Sequence, residues 1–307
     1  MPQVSIILNI HNGAPFLREA LASVRAQSFA DWELIAWDDC STDDSAKIVA
    51  EYRDPRVRYF LSPEQTPLGK ARDLAMRQAT GEWLAFLDQD DVWLPHKLEN
   101  QLALAAPAIG IIYGRTVLFD AQRGEIRDYD YAHEFRPLPE GDIFAQLFRD
   151  ACFIAMSSAM LRRSAVHEAG GVPDNIEVVP DYYLYAAVAR RYHARAVQEV
   201  VCRYRLHPGS MSASRRHRLR LQSEPLAMVN QWATELDPRI AAYRRMTYST
   251  ALALEEMREL ATAPAGCGRL LSDGSLLWLM SRPFARVWRG LRRRVQRPCW
   301  AKSESGV

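Results

Sequence analysis

Apolar runs and helical spacings alternate through the first hundred residues of the chain. VSIILNI is a continuous aliphatic run, and in residues 15–27 Phe16, Leu17, Ala20, Leu21 and Val24 share one helical face. The pattern then repeats. WELIAWDD reads as a second strand, residues 44–52 as a helix, VRYFLS as a strand, residues 68–79 as a helix and EWLAFLDQ as a strand. Strands this apolar on both faces must be covered on both, which predicts a parallel sheet between helical layers, an α/β domain of the doubly wound type.

The rhythm changes after residue 108. IGIIYGRTVLFD reads as a strand, a polar stretch runs to Pro139, DIFAQLFRD is a short helix, and strands and helices no longer alternate evenly. From residue 214 the pattern is helical without an evident motif, and two uses stay open for it, packing on the preceding domain or forming a homodimer surface. Near the end, SRPFARVWRGLRRRVQRP places Phe284, Val287, Trp288, Leu291 and Val295 on one face among arginines, with Ser281 as a cap and Pro283 at the first helical position. It reads as a basic amphipathic helix, lying on the anionic inner face of the cell membrane or packed on its own protein.

Composition narrows the class further. With 307 residues, 48% of them hydrophobic, there is chain enough for one large domain or two modest ones, and a formal net charge of +2 supplies no general attraction to nucleic acid. The five cysteines (Cys40, Cys152, Cys202, Cys267 and Cys299) are odd in number and scattered, which argues against a zinc site and for a reducing cytoplasm. The opening MPQVSIILNIHNG lacks a basic leader and a cleavage site, so no secretory signal is expected, and no apolar run approaches the roughly 18–20 residues of a membrane-spanning helix.

Candidate chemistry collects at the strand ends. Asn9 and His11 follow the first strand, Asp38 and Asp39 the second, and Asp88, Asp90 and Asp91 the later strand FLDQDDVW. In open α/β sheets ligands bind beyond the carboxyl ends of the strands, so one cleft can gather all of them. Three carboxylates in four positions repel one another and call for a cation. An EF-hand would require Gly where Trp93 stands. A DxD phosphatase would place its aspartates after the first strand. The bland alternative is local: STDD, residues 41–44, suits a cap for the following helix, above all through Ser41.

VSIILNIHNG, WDDCSTDD, GKARDLAMRQATGEWLAFLDQDD and PHKLE, in this order, resemble the GT-A fold glycosyltransferases of family 2, over roughly residues 4–212. The resemblance implies a GT-A, Rossmann-like sheet flanked by helices over residues 1–213, with a nucleotide-sugar half (1–108) and an acceptor half (109–213), followed by a helical C-terminal region (214–307). It implies that Asp39 accepts a hydrogen bond from the nucleobase, with Asp38 close by, Asn9 and His11 against the base, and Arg72 near the nucleotide. Asp90 is then the ligand of Mn2+ or Mg2+, Asp88 faces the ribose or sugar, and Asp91 supports the loop.

Further on, VVPDYYLYAAVARR resembles the segment that carries the catalytic base, usually written Glu-Asp, with Pro180 in place of the Glu and Asp181 retained. The alternative for Asp181 is a cap on the helix that follows. In YRLHPGSMS, Arg205 and His207 match a loop that closes over the diphosphate. The activity the resemblance implies is an inverting, metal-dependent transfer from a nucleotide sugar, UDP-linked, to a saccharide or lipid-linked acceptor of a surface polysaccharide. Two alternatives are a sugar-phosphate nucleotidyltransferase, whose Gly-rich, lysine-bearing phosphate loop is lacking after the first strand, and a non-catalytic nucleotide-sugar sensor.

Overall fold

A computed structural model describes residues 1–120, 125–130, 135, 137–150, 152–210 and 217–262, with backbone alone at 125–130 and 257–262. The basic tail from Ser281 lies outside the described residues. Packing divides the chain after Ala253 into units of residues 1–253 and 254–307. Of the second unit, the described part continues a helix.

The first unit is built on one nine-stranded sheet. The strands are β1 Val4–Ile10, β2 Trp32–Asp38, β3 Val57–Leu61, β4 Trp83–Asp88, β5 Val92–Trp93, β6 Ile109–Asp120, β7 Glu125–Asp130, β8 Met160–Arg162 and β9 His193–Arg205. Their order is β3-β2-β1-β4-β8-β6-β9-β5, with β7 paired to β6. The first four are parallel, with Asn9 in register with both Trp37 and Asp88. Beyond β4 the directions mix: β8 runs antiparallel to β4 and β6, while β6 and β9 pair in parallel.

The parallel half follows directly from its sequence. β1, β2 and β4 are buried almost throughout, because helices cover both faces: α1 Ala14–Arg25 and α2 Ser45–Glu51 pack over one core, α3 Leu68–Arg77 over the other. Crossovers on the two sides of β1 make its carboxyl end the point where strand order reverses, with β2 on one flank and β4 on the other. That is where the aspartates stand.

α4 Lys97–Leu102 adds Leu98 to the first core, and the second continues through α5 Phe144–Asp150, the 3-10 turn Met156–Ser158, α6 Arg163–Glu168 and α7 Pro180–Ala189. Nine of the ten residues of α7 are buried, so it is a helix without a polar face. Two helices follow, α8 Arg220–Gln231 and α9 Pro238–Thr262. Met228, Val229 and Trp232 join the same core, and Trp232 lies against Phe144, Phe148 and Tyr183. Of the two uses left open for this region, α8 shows packing on the helices of the same sheet. Among the described residues no helix is long and apolar enough to cross a membrane.

Candidate active site

Three βα junctions are laced together at the carboxyl end of the sheet. After β1 the chain turns sharply, with Asn12 at φ 51°, and after β2 Cys40 sits at φ 63°. Both lie in the left-handed region that residues with a side chain seldom adopt, and the first loop is held by the second. Asn12 Oδ1 accepts the Thr42 N–H at 2.9 Å, and Asn12 N–H donates to Ser41 Oγ at 3.0 Å. Gly13 N–H reaches Ser45 Oγ at 3.0 Å, and Ala14 N–H reaches Asp43 Oδ2 at 2.9 Å. The STDD stretch therefore ties two loops together. The capping expectation for Ser41 is corrected: Asp44 is the N-cap of α2 and makes no side-chain cap bond, while Ser41 serves the neighbouring loop.

Gln89, inside the acidic stretch, clamps the first loop to the third. Its Oε1 accepts the His11 N–H at 2.9 Å, and its Nε2 donates to the His11 carbonyl at 3.1 Å. A β-carbon on Gly13 would collide with this amide, which is why the turn needs glycine there. The His11 ring is fixed by its partners: Nδ1 donates to the Asp39 carbonyl at 2.8 Å, and Nε2 accepts from the Gln65 amide at 3.1 Å. At the end of β1, the buried Asn9 Nδ2 has no acceptor among the described residues.

Asp38 and Asp39 are both buried but differ in their duties. Asp38 is spent inside the protein, accepting the Ser41 N–H at 2.8 Å and the Tyr59 hydroxyl at 2.7 Å. Asp39 takes the Thr66 N–H at 3.0 Å on one oxygen and the Thr66 hydroxyl at 3.0 Å on the other. Burial raises its pKa against those hydrogen bonds.

At the end of β4 the crowded negative charge is offset in part by Arg72. Its guanidinium, almost fully buried on α3, lies 2.7 Å from Asp88 Oδ1. Burial still pushes the Asp88 carboxyl up to about 6; Arg72 opposes the shift, while the charges of Asp90 and Asp181 add to it. Asp181, in the first turn of α7, is likewise raised by burial, with Arg72 again opposing. The N-cap of that helix is Val179, with no side-chain cap bond. Asp181 therefore stands inside the helix and not at its N-cap; its carboxylate takes backbone hydrogen bonds from the first turn and feels the charge of Arg72, as Asp88 does.

Asp91 points inward. It is 1% exposed and accepts the Ser157 hydroxyl at 2.5 Å and the Arg205 N–H at 2.9 Å. Burial drives its pKa well up, and Asp90 and Asp88 add to the rise. Ser157 also accepts the Asp88 N–H at 3.0 Å, and the carbonyl of Ser157 takes the Trp93 indole N–H at 2.7 Å. Behind them Lys97, 1% exposed, donates to Gln101 at 2.6 Å and lies 4.3 Å over the Trp93 ring.

The C-terminal flank of the site comes from β9 and the loop after it. His207 Nε2 sits 2.8 Å from Asp90 Oδ2, its ring 4.6 Å from Phe16. Arg205 is enclosed: Nε–H donates to the Asp90 carbonyl at 2.7 Å, Nη2 meets Glu19 at 2.5 Å, and the group lies between the Phe16 and Phe119 rings. Its guanidinium holds the acidic loop from behind.

Among the described residues no three His, Cys, Asp or Glu side chains converge as a complete metal cage. The donor set present is Asp90 with His207, a carboxylate and an imidazole 2.8 Å apart, beside the carboxylates of Asp88 and Asp181. Such a pair fits a hard divalent cation that takes its other ligands from phosphate oxygens and water. Sequence reasoning missed Gln89, Gln65, Thr66 and Ser157. Gln89 stood inside the acidic stretch and was within reach; the others bear no local signal.

The profile of the family described as glycosyl transferase family 2 matches residues 5–170, and the chain belongs to that family. It is a glycosyltransferase of GT-A fold. Among its relatives is the UDP-Glc:alpha-D-GlcNAc-diphosphoundecaprenol beta-1,3-glucosyltransferase WfaP of Escherichia coli, 30% identical over 231 residues, which are 75% of this chain and 87% of the relative. WfgD of the same organism, with the same activity in its name, is 28% identical over 73% of this chain and 85% of its own. Two solved structures share the fold. S. aureus TarS 1-349 in complex with UDP-GlcNAc superposes with a TM-score of 0.63 at 17% identity, covering 89% of this chain and 76% of that one. The mannosyltransferase PcManGT from Pyrobaculum calidifontis, in complex with GDP-Man and Mn2+, does so with a TM-score of 0.58 at 20% identity, covering 98% and 88%.

Proposed function

We propose that the chain catalyses an inverting, metal-dependent transfer of a hexose from a UDP-sugar to a sugar carried on a polyprenyl diphosphate, in the assembly of a surface polysaccharide. The observation that carries this reading is the convergence of Asp90 and Asp181 on Asp88, which the buried guanidinium of Arg72 pairs with directly. The donor and acceptor classes are supported by the names of the WfaP and WfgD relatives, and the metal by the Mn2+ complex of the mannosyltransferase neighbour.

In this reading Asp39 receives the nucleobase imide N–H, held in place by Thr66, while His11 and Asn9 border the base. Asp38 supports that loop through Ser41 and Tyr59. Asp90 and His207 would hold the Mn2+ or Mg2+ ion, whose charge offsets the negative charge that builds on the departing diphosphate. Asp88, fixed by Arg72, faces the donor's ribose or sugar. Asp181 takes the proton of the acceptor hydroxyl as that oxygen bonds to the anomeric carbon from the face opposite UDP. The anomeric carbon–oxygen bond to the diphosphate breaks, and UDP leaves with the electron pair. Burial raises the basicity of Asp181, which suits a carboxylate asked to accept a proton near neutral pH.

The arginine-rich segment from Ser281 adds an inner-membrane contact, which would bring the site to a lipid-linked acceptor. Sedimentation with anionic vesicles should fall when the chain is cut before Ser281.

The function itself is tested with a panel of nucleotide sugars, each incubated with Mn2+ and with EDTA. Hydrolysis of a UDP-hexose with Mn2+, lost in EDTA, is the expected result. Binding of the donor with neither hydrolysis nor transfer to a GlcNAc-diphosphate lipid over long incubation would make the chain a sensor instead.

A further inference from the structure

Helix α7 begins without a capping side chain at its N-cap. Its N-cap is Val179, which has no polar side chain, and its first residue, Pro180, has no N–H to offer. The residues leading into it turn three successive N–H groups the same way, and a buried carboxylate from a helix some forty-five positions later meets them all. Glu224, 4% exposed on α8, accepts the Glu177 N–H at 3.1 Å and the Val178 N–H at 3.3 Å on Oε1. On Oε2 it accepts the Val178 N–H at 2.9 Å and the Val179 N–H at 3.0 Å. Arg220, one turn earlier on α8, pairs with Glu177 at 2.8 Å and comes within 3.8 Å of Glu224.

A run of backbone N–H groups facing one way is a concave anion site, and a carboxylate set in it is held by charge-assisted hydrogen bonds. Two residues beyond the last of these amides stands Asp181. The position of its carboxylate depends on where α7 starts and at what angle, because it sits in the first turn. Residues 177–179 decide both, and Glu224 fixes residues 177–179.

We infer that Glu224 is a positioning residue for Asp181, a carboxylate lent by the C-terminal helical region to set the helix that carries the base. The inference rests on the reading of Asp181 as base. It also gives α8 a part in catalysis that its lack of family motifs would not suggest. The amides of residues 177–179 would otherwise need water, and the first turn of α7 would lose its reference point. A general base works only when held within a few tenths of an ångström of its line of approach, and a displacement of about 1 Å can cost about 100-fold in rate.

The test compares the full chain with E224Q, E224D, D181N and the double variant E224Q/D181N. Transfer from UDP-glucose to a GlcNAc-diphosphate lipid is assayed at 25 °C with Mn2+, alongside UDP binding by calorimetry and thermal unfolding of each variant. In E224Q one acceptor oxygen becomes an NH2 that faces backbone donors, so kcat should fall about 10- to 100-fold. UDP affinity should stay within about three-fold, because the nucleotide subsite is built on other loops. E224D keeps the charge and withdraws it by one methylene, and should lie between E224Q and the parent. The double variant should be no slower than D181N alone, since a residue that acts through another adds nothing once that one is gone.

A folded E224Q with parental kcat overturns the inference and leaves the base reading intact. A loss in E224Q that multiplies with that of D181N also overturns it, because Glu224 would then act elsewhere. If E224Q fails to fold, the E224D and E224D/D181N pair answers the same question. D181N with parental activity overturns the base reading, and the inference falls with it.

Discussion

Ser157 is the sharpest single test of how the acidic loop is built, because one oxygen atom serves two of its members. The hydroxyl donates to Asp91 Oδ2 at 2.5 Å and accepts the Asp88 N–H at 3.0 Å, in a place where Ser157 is 0% and Asp91 1% exposed. Ser157→Ala removes that atom and admits no water of matching geometry. The stranded Asp88 N–H costs about 1–3 kcal/mol, and the stranded carboxylate oxygen about as much again or more. The sum, about 4 kcal/mol, corresponds to a fall in Tm of roughly 8–16 °C for a unit of this size.

The loss should also depend on pH. Burial already holds the Asp91 pKa above its unfolded value, and losing the Ser157 bond raises it further. A folded pKa above the unfolded one costs stability as pH rises through it, so the deficit of the variant should be larger at pH 8 than at pH 5. Because Asp88 and Asp91 flank Asp90, Mn2+-dependent UDP binding should weaken about 10-fold, the scale of losing a supporting partner behind a metal ligand. Thermal unfolding at both pH values and calorimetry with UDP and Mn2+ measure the two effects. A Tm within about 2 °C of the parent at pH 8, where about 8 °C or more is expected, would refute the reasoning.

Asp90→Asn should leave the fold intact, since it removes one charge from a repelling group, and should abolish the dependence of UDP binding on Mn2+; calorimetry with Mn2+ and with EDTA reads this, and undiminished metal dependence would contradict the assignment. Lys97→Met should stabilise the protein at pH 7, because a buried lysine with no carboxylate partner is replaced by an apolar chain of similar length. Burial lowers the Lys97 pKa from 10.5 to about 7, so the folded state gives up this proton first and parental stability should climb from pH 7 towards 10.5. Urea unfolding at pH 7 and pH 9 should show that slope in the parent and its loss in the variant; equal slopes would refute it.

The residues that the chain's pattern exposed share a property: they are polar where the local pattern demands apolar. Asp38 and Asp88 each end an apolar run, with Asp39 and Asp90 directly behind them, and a carboxylate in that position costs free energy unless a ligand, a cation or a hydrogen-bond donor receives it. Gln89 was visible in the same stretch but carries no charge to mark it. Asp181 was legible only through its segment's likeness to the family's; that it stands inside the first turn of the helix, with Val179 at the cap and Arg72 in its surroundings, needed coordinates.

Sequence by itself determined the strands and helices of the first hundred residues, because period and burial are properties of neighbours, and apolar runs of six to seven residues between helical spacings, as in β1, β2 and β4, are satisfied inside a covered parallel sheet, while β3 lies half-exposed at its edge. It also placed the acidic residues at the strand ends. Tertiary structure decided what those residues do to one another. Asp38 and Asp39 are adjacent and equally acidic, yet one is consumed by Tyr59 and Ser41 while the other meets Thr66. Arg205 could have faced solvent or phosphate, and instead backs the acidic loop between two phenyl rings. Ser157 and Glu224 are ordinary residues in their own segments, and they acquire a role only when folding brings them to Asp91 and to the amides before α7. Hydrogen bonds reach about 3 Å, and no periodicity along a chain records which distant donor will arrive within that distance.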